Sequence, residues 1–328
     1  MRGPVPEVRV LAPATFGADA QAFVDAAVGE LRQVAAADGM VLHTDAEVVQ
    51  AVAEMRPGST VLGSISSDFA VVVAGACRLQ GLQHVEVGAV SDRVLGPGTL
   101  RLTAAAADTA AAVNRLVGGR RFLVVAEESE FAAAVVGELG ASRGLPVPAL
   151  AIEEALDRGL HAVLDEAGVE LVVAVLRPPW PEKLLASMPE GSELIGAGSW
   201  ARREVGLAAA CSGVLLRFCD VMPAHLLTAS ELAPGIAASL ELHLKRPRSV
   251  YRDLGWAGGL LLRQHLGVGR SLAGLSTLEL GPSATGFGHG VRFGPEGRNL
   301  AAGKAILEWA DGELRLIAKP LGKETNRC

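Results

Sequence analysis

The strongest constraint on this chain is an alternation of strand and helix patterns that runs once, breaks, and runs again. Val8-Arg9-Val10-Leu11 reads as a strand, and residues 19–37 as a helix with Phe23, Ala27 and Leu31 on one face and Gly39 just past its end. A strand over 40–43, a helix from Asp45 to Met55 with Asp45 able to cap it, a strand over 59–63, a helix over 69–79 and a strand over 84–87 follow. Leu100-Arg101-Leu102-Thr103 interrupts the series. It then restarts: helix 108–116, strand 122–125, helix 131–139, a strand near 148–152, helix 154–166, strand 170–176, helix 181–188 and strand 193–196. Such order predicts parallel sheets covered by helices on both faces, here as two similar α/β modules in tandem.

From about Val221 the pattern changes. Residues 234–244 and 251–266 read as helices, the first opening on a proline. A Gly-rich stretch over 281–290 precedes a closing hairpin, residues 305–309 turning at Asp311-Gly312 into 314–317. The tail 319–328 reads as disordered.

Composition removes several functional classes. A length of 328 residues fits two domains at roughly 100–200 residues each. With 50% apolar residues the chain can bury a real core, so disorder and disulfide-stapled scaffolds are out. Net charge is −6, and the only basic block is Lys245-Arg246-Pro247-Arg248, which argues against nucleic acid as a partner. Mean hydropathy is +0.33. The longest apolar runs nonetheless fall far short of the ~18–20 residues of a membrane helix, so no membrane insertion is expected. The four cysteines, Cys77, Cys211, Cys219 and Cys328, show no metal spacing, and Cys77 reads as a buried small hydrophobe. No cofactor or metal is expected. The start, Met1-Arg2-Gly3-Pro4, does not read as a secretory leader. The reading is therefore of a cytoplasmic protein, the alternative being an exported one whose signal peptide lies outside this sequence.

In open α/β sheets ligands bind beyond the carboxyl ends of the strands. Four loops stand there: residues 12–17, 64–68, 88–92 and 127–131. In the second, the hydroxyls and backbone N–H groups of Ser66 and Ser67 suit a carboxylate or amide oxygen, although Ser66 equally fits a plain helix cap. Catalytic signatures are weak. There is no GxSxG, no HExxH and no P-loop, and the strand-like Val291-Arg292-Phe293 follows Gly286-Phe287-Gly288-His289-Gly290 where a nucleotide loop needs a helix.

The run Val61 to Ser67 (Val-Leu-Gly-Ser-Ile-Ser-Ser), then Val87 to Asp92 (Val-Gly-Ala-Val-Ser-Asp) and Leu100 to Thr103 with Asp108, resembles type I periplasmic-binding-type proteins. The branch is that of branched-chain amino acids (leucine, isoleucine, valine), which includes cytoplasmic amide-sensing regulators. Thr285 to Phe293 and Glu308 to Gly312 look like its closing segment. The resemblance spans nearly the whole chain through the succession of its motifs. It implies an α/β fold of two doubly wound parallel-sheet lobes joined by a three-crossover hinge, closing on a ligand held in the cleft. Lobe 1 is then residues 1–103 plus about 221–300, and lobe 2 residues 104–220 plus about 301–328.

Carried over residue by residue, the ligand-holding serine falls on Ser67 and the paired loop on Ala89 and Ser91. The stacking aromatic falls on Phe131, which keeps the ring of the usual tyrosine without its hydroxyl. Leu176 and Arg177 stand where a tyrosine is common. The loop that often holds a carboxylate for an amino-acid ammonium reads Gly196-Ala197-Gly198-Ser199-Trp200, with no acid. A desolvated ammonium without a carboxylate costs several kcal/mol. A free amino acid is therefore a poor ligand unless Glu127 or Glu128 substitutes. The expected ligand is a small carboxylate or amide with an apolar remainder, with Phe131 and Trp200 as apolar walls and Arg177 as a partner for an acid, or else a surface arginine. Two roles stay open: a solute-binding protein or ligand sensor, with a transporter, a regulator or a second copy as partner, or an enzyme recruited from this scaffold. For the enzyme the candidates are Glu127, Glu128, Arg177 and His289.

Overall fold

The computed structural model describes residues 5–144, 146–169, 171–268 and 272–320. Over the described residues the chain divides into two compact units and passes between them three times. The first unit runs to Ala105 and resumes over Pro223–Gly303; the second takes Ala106–Met222 and Lys304–Pro320.

The first unit carries a five-stranded, all-parallel sheet of β1 (Glu7–Pro13), β2 (Ala36–Leu42), β3 (Thr60–Leu62), β4 (Gln83–Glu86) and β5 (Thr99–Arg101), in the order 2-1-3-4-5. Two of its boundaries correct the sequence reading. The helix expected over 19–37 is Ala18–Leu31, because Ala36 to Leu42 pair in register with Glu7 to Pro13. The alanines there favour helix, but ladder hydrogen bonds and packing override that weak preference. Gly39 consequently lies inside the strand rather than behind a helix, where a Cβ would come within 2.2 Å of the Val24 side chain. The stretch read as an interruption, around Leu100, is a full strand paired with β4.

The second unit repeats the plan. β6 (Leu123–Ala126), β7 (Ala149–Ala151), β8 (Leu171–Leu176), β9 (Glu193–Gly198) and β10 (Leu215–Asp220) form a parallel set in the order β7-β6-β8-β9-β10, the same 2-1-3-4-5 succession. All six residues of β8 are buried, as a strand covered on both faces requires. The expected hairpin, Ala305–Ala310 with Glu313–Ala318, adds antiparallel to β10 and turns through Asp311 at φ 53° and Gly312 at φ 75°. The single helix read over 154–166 is two, Ile152–Arg158 and Leu160–Ala167, parted by Gly159 at φ 78°. Helix Arg203–Ser212 and β10 itself were not anticipated.

Burial makes Cys77 and Cys219 poor nucleophiles, pushing each thiol up to about 12. Among the described residues no helix is long and apolar enough to cross a membrane, and no group of His, Cys, Asp and Glu is placed to hold a metal ion. The tail beyond Pro320, including Cys328, lies outside the described residues.

Candidate functional site

A sheet of order 2-1-3-4-5 has its switch point between strands 1 and 3, and ligands collect at the carboxyl ends there. Each unit has one such place. In the first unit it is framed by the loops after β1 and β3, with the loop after β4 beside them. Ser67 opens helix Ser67–Gln80, whose first-turn N–H groups have no acceptor within the helix. The Ser67 hydroxyl accepts the Val90 N–H at 3.2 Å, which leaves its own proton to donate. Ser66 takes the cap position without a hydroxyl bond to the helix. Ala89 gives its N–H to the Glu86 carboxylate at 2.8 Å, so only its carbonyl remains for a ligand. The Ser91 hydroxyl accepts the Arg93 N–H, and its carbonyl takes an Arg101 N–H at 3.0 Å. The structure thus brings Ser67, Ala89 and Ser91 to one pair of loops, all at most 3% exposed. That pair is in backbone contact: a Cβ at Gly88 would lie 2.5 Å from the Ser64 carbonyl oxygen.

In the second unit the switch point lies between β6 and β8, and an ion pair stands on it. The Glu127 carboxylate, just after β6, meets the Arg177 guanidinium, just after β8, and also accepts the Arg177 N–H at 3.2 Å and the Ser129 hydroxyl at 3.0 Å. Arg177 is therefore tied to an acid of its own unit, and Glu127 is not available as a substitute partner for an ammonium. Phe131 sits in the first turn of helix Glu130–Arg143, capped by Ser129, with its ring against Gly198 at the end of β9.

Trp200 differs from expectation. It has no exposed surface, gives its indole N–H to the Ala197 carbonyl at 3.1 Å and lies on Gly196, so its ring fills the second unit's interior instead of walling a site. Beside it stands an acid that sequence reasoning missed. Asp220, closing β10, accepts the N–H groups of Trp200, Ala201 and Val221 at 3.2, 3.4 and 2.7 Å. Burial pushes its carboxyl up to about 6, against the opposing pull of the Lys304 charge and of those amides. A carboxylate at the carboxyl end of a strand, where ligands collect in such sheets, was the available signal. Of the enzyme candidates, Glu127 and Arg177 neutralise each other, Glu128 is exposed, and His289 is buried and stacked on Phe287.

No family model and no curated protein matches the sequence. Solved structures match its fold. A leucine-binding protein from Thermotoga maritima is 11% identical over 97% of this chain and 99% of that one, with a TM-score of 0.77. This is the type I periplasmic-binding-protein fold. A solute-binding protein of an ABC transporter from R. palustris, solved with benzoate, shares that fold at TM-score 0.74 and 16% identity, covering 99% of each chain. So does a fatty acid ABC transporter substrate-binding protein from Thermomonospora curvata, at TM-score 0.69 and 13% identity over 99% of this chain and 94% of that one.

Proposed function

We propose that this chain is a non-catalytic solute-binding protein or ligand sensor for a small carboxylate or amide with an apolar remainder, undergoing the domain closure usual for its fold. The observation that carries the reading is Ser67: a buried hydroxyl at a helix start, its lone pair used by Val90 and its proton left to meet a ligand oxygen. A free amino acid is disfavoured because the acids that close β4, β6 and β10 are engaged: Glu86 and Asp220 by backbone amides, Glu127 by Arg177. An incoming ammonium would lose its water without gaining a carboxylate. Among the matched proteins, benzoate and fatty acids fall within this range, whereas the leucine of the Thermotoga maritima protein is a free amino acid, the class this reading sets aside.

Thermal-shift titration with leucine, 4-methylpentanoate, 4-methylpentanamide, benzoate and octanoate tests it. A ligand at a hundred times its Kd stabilises by about 2.7 kcal/mol. The acid or amide should shift unfolding and leucine should not. Equal shifts from leucine and 4-methylpentanoate would sink the argument from the engaged acids, and turnover of any hit would transfer the protein to the enzyme class. Cell fractionation of the native protein separates the two roles: a cytosolic location favours the sensor, and retention with the membrane favours the transport receptor.

A further inference from the structure

We propose that Glu86 and Arg101 form a buried positioning pair that holds the loops over 63–67 and 88–92 in binding geometry before any ligand arrives. The inference rests on reading those loops as the ligand cradle.

The two residues are direct register partners on β4 and β5, and both are 0% exposed. Side by side on one sheet face, they divide the polar backbone of the loops between them. Glu86 Oε2 accepts the Ser64 N–H at 2.6 Å, while Oε1 accepts those of Gly88 and Ala89 at 2.7 and 2.8 Å. Arg101 Nη1 donates to the carbonyls of Val90 and Ser91, both at 3.0 Å, and Nη2 lies 2.9 Å from Asp92 Oδ1. The start of the second loop is thus anchored on an anion and its end on a cation. The Val90 N–H between them crosses to Ser67.

Removing two charges from water is costly unless both are hydrogen-bonded, and these are bonded to the segments that carry Ser67, Ala89 and Ser91. Loops at strand ends are ordinarily the mobile part of such a sheet. Pinning them in advance lowers the ordering cost of binding. Charged or titratable groups described around the pair include His84, buried on the same face with Nε2 3.4 Å from Glu86 Oε2, and Arg298, which shares Asp92 with Arg101.

Residue-resolved hydrogen exchange on the ligand-free full chain tests the anchor. In Glu86→Gln a side-chain NH2 faces the Ser64 N–H, and exchange at Ser64, Gly88 and Ala89 should quicken by about tenfold or more, the worth of a charge-assisted bond. Val61→Ala, which thins the core on β3, is the control: it should lower Tm without a selective effect on those amides. The affinity for 4-methylpentanoate should fall with Glu86→Gln and recover in part with Glu86→Asp. Unchanged exchange at the three amides in Glu86→Gln, or an equal rise in Val61→Ala, overturns the proposal. Should Glu86→Gln fail to fold, the wild-type spectrum decides: the three amide protons are expected downfield of the other loop amides, and ordinary shifts overturn the pair. A wild-type chain that binds none of the probes overturns the proposed function instead, so the two failures are separable.

Discussion

The two units share a strand order and differ in where they keep charge at the switch point. In the first unit the loops present hydroxyls and backbone groups, and the charged residues Glu86 and Arg101 lie beneath them, bonded to the loop amides and carbonyls. In the second unit charge stands on the switch point itself, as Glu127 with Arg177, whose side chain is 21% exposed. One unit spends its ions on shaping backbone; the other spends them on each other. A neutral or anionic oxygen meets donors in the first case, and a neutralised rim in the second. That asymmetry gives one topology two switch points of different charge character.

Breaking the ion pair should have the largest effect. Arg177→Ala strands Glu127 and is expected to cost about 3–4 kcal/mol in urea unfolding. A Glu127→Gln, Arg177→Met double variant should recover most of that. If both variants lose equally, the second unit's charge serves a purpose other than mutual neutralisation.

Next comes the buried acid of the second unit, held by three backbone amides. Asp220 has an ordinary value of 3.8 and a folded value of about 6, so the folded chain holds that proton more tightly than the unfolded one. Its contribution is therefore most favourable below about pH 4, declines as pH rises toward about 6 and is flat above, by about 2–3 kcal/mol in all. Stability measured against pH in wild type and Asp220→Asn checks this, because the variant should lack that limb.

Gly88→Ala attacks the backbone contact of the first unit, where the new methyl meets the Ser64 carbonyl oxygen and the Ile65 Cα at 2.5 and 2.8 Å. About 2 kcal/mol of stability should be lost. A neutral outcome would mean that the two loops separate without cost. The smallest effect is Ser67→Ala, which removes the hydroxyl's bond to the ligand and its acceptance of the Val90 N–H, and it should cost about 1 kcal/mol or roughly fivefold in affinity for whichever probe binds. Calorimetry that shows no change would move the site away from the first unit's hydroxyls.

Most of the alternation was legible because helix and strand periods differ and glycines punctuate them. What escaped shows which physics the pattern omits. The alanines at 36 and 37 read as helix because local preference is visible in sequence and parallel pairing to β1 is not. His84-Val85-Glu86-Val87 has the look of a half-exposed strand, yet its sheet is covered, so the polar residues turn inward and become the support of the loops. Ser67, Ala89 and Ser91 could be placed from the succession of motifs. Their supports Glu86 and Arg101 could not, since a charged residue on a strand announces nothing until its neighbour across the register is known. Trp200 was misjudged for a related reason. An aromatic after a strand fits a site wall as well as an interior, and only Gly196 beneath it decides.

The closing hairpin has a consequence for synthesis. Ala305–Ala310 covers the edge of β10, but the whole of Pro223–Gly303 must leave the ribosome first. Until then the second unit displays an unpaired strand edge of the kind that recruits other chains. A nascent chain stalled near Met222 should therefore aggregate or bind chaperones more readily than one released after Pro320, and translation speed across the intervening stretch governs how long that exposure lasts.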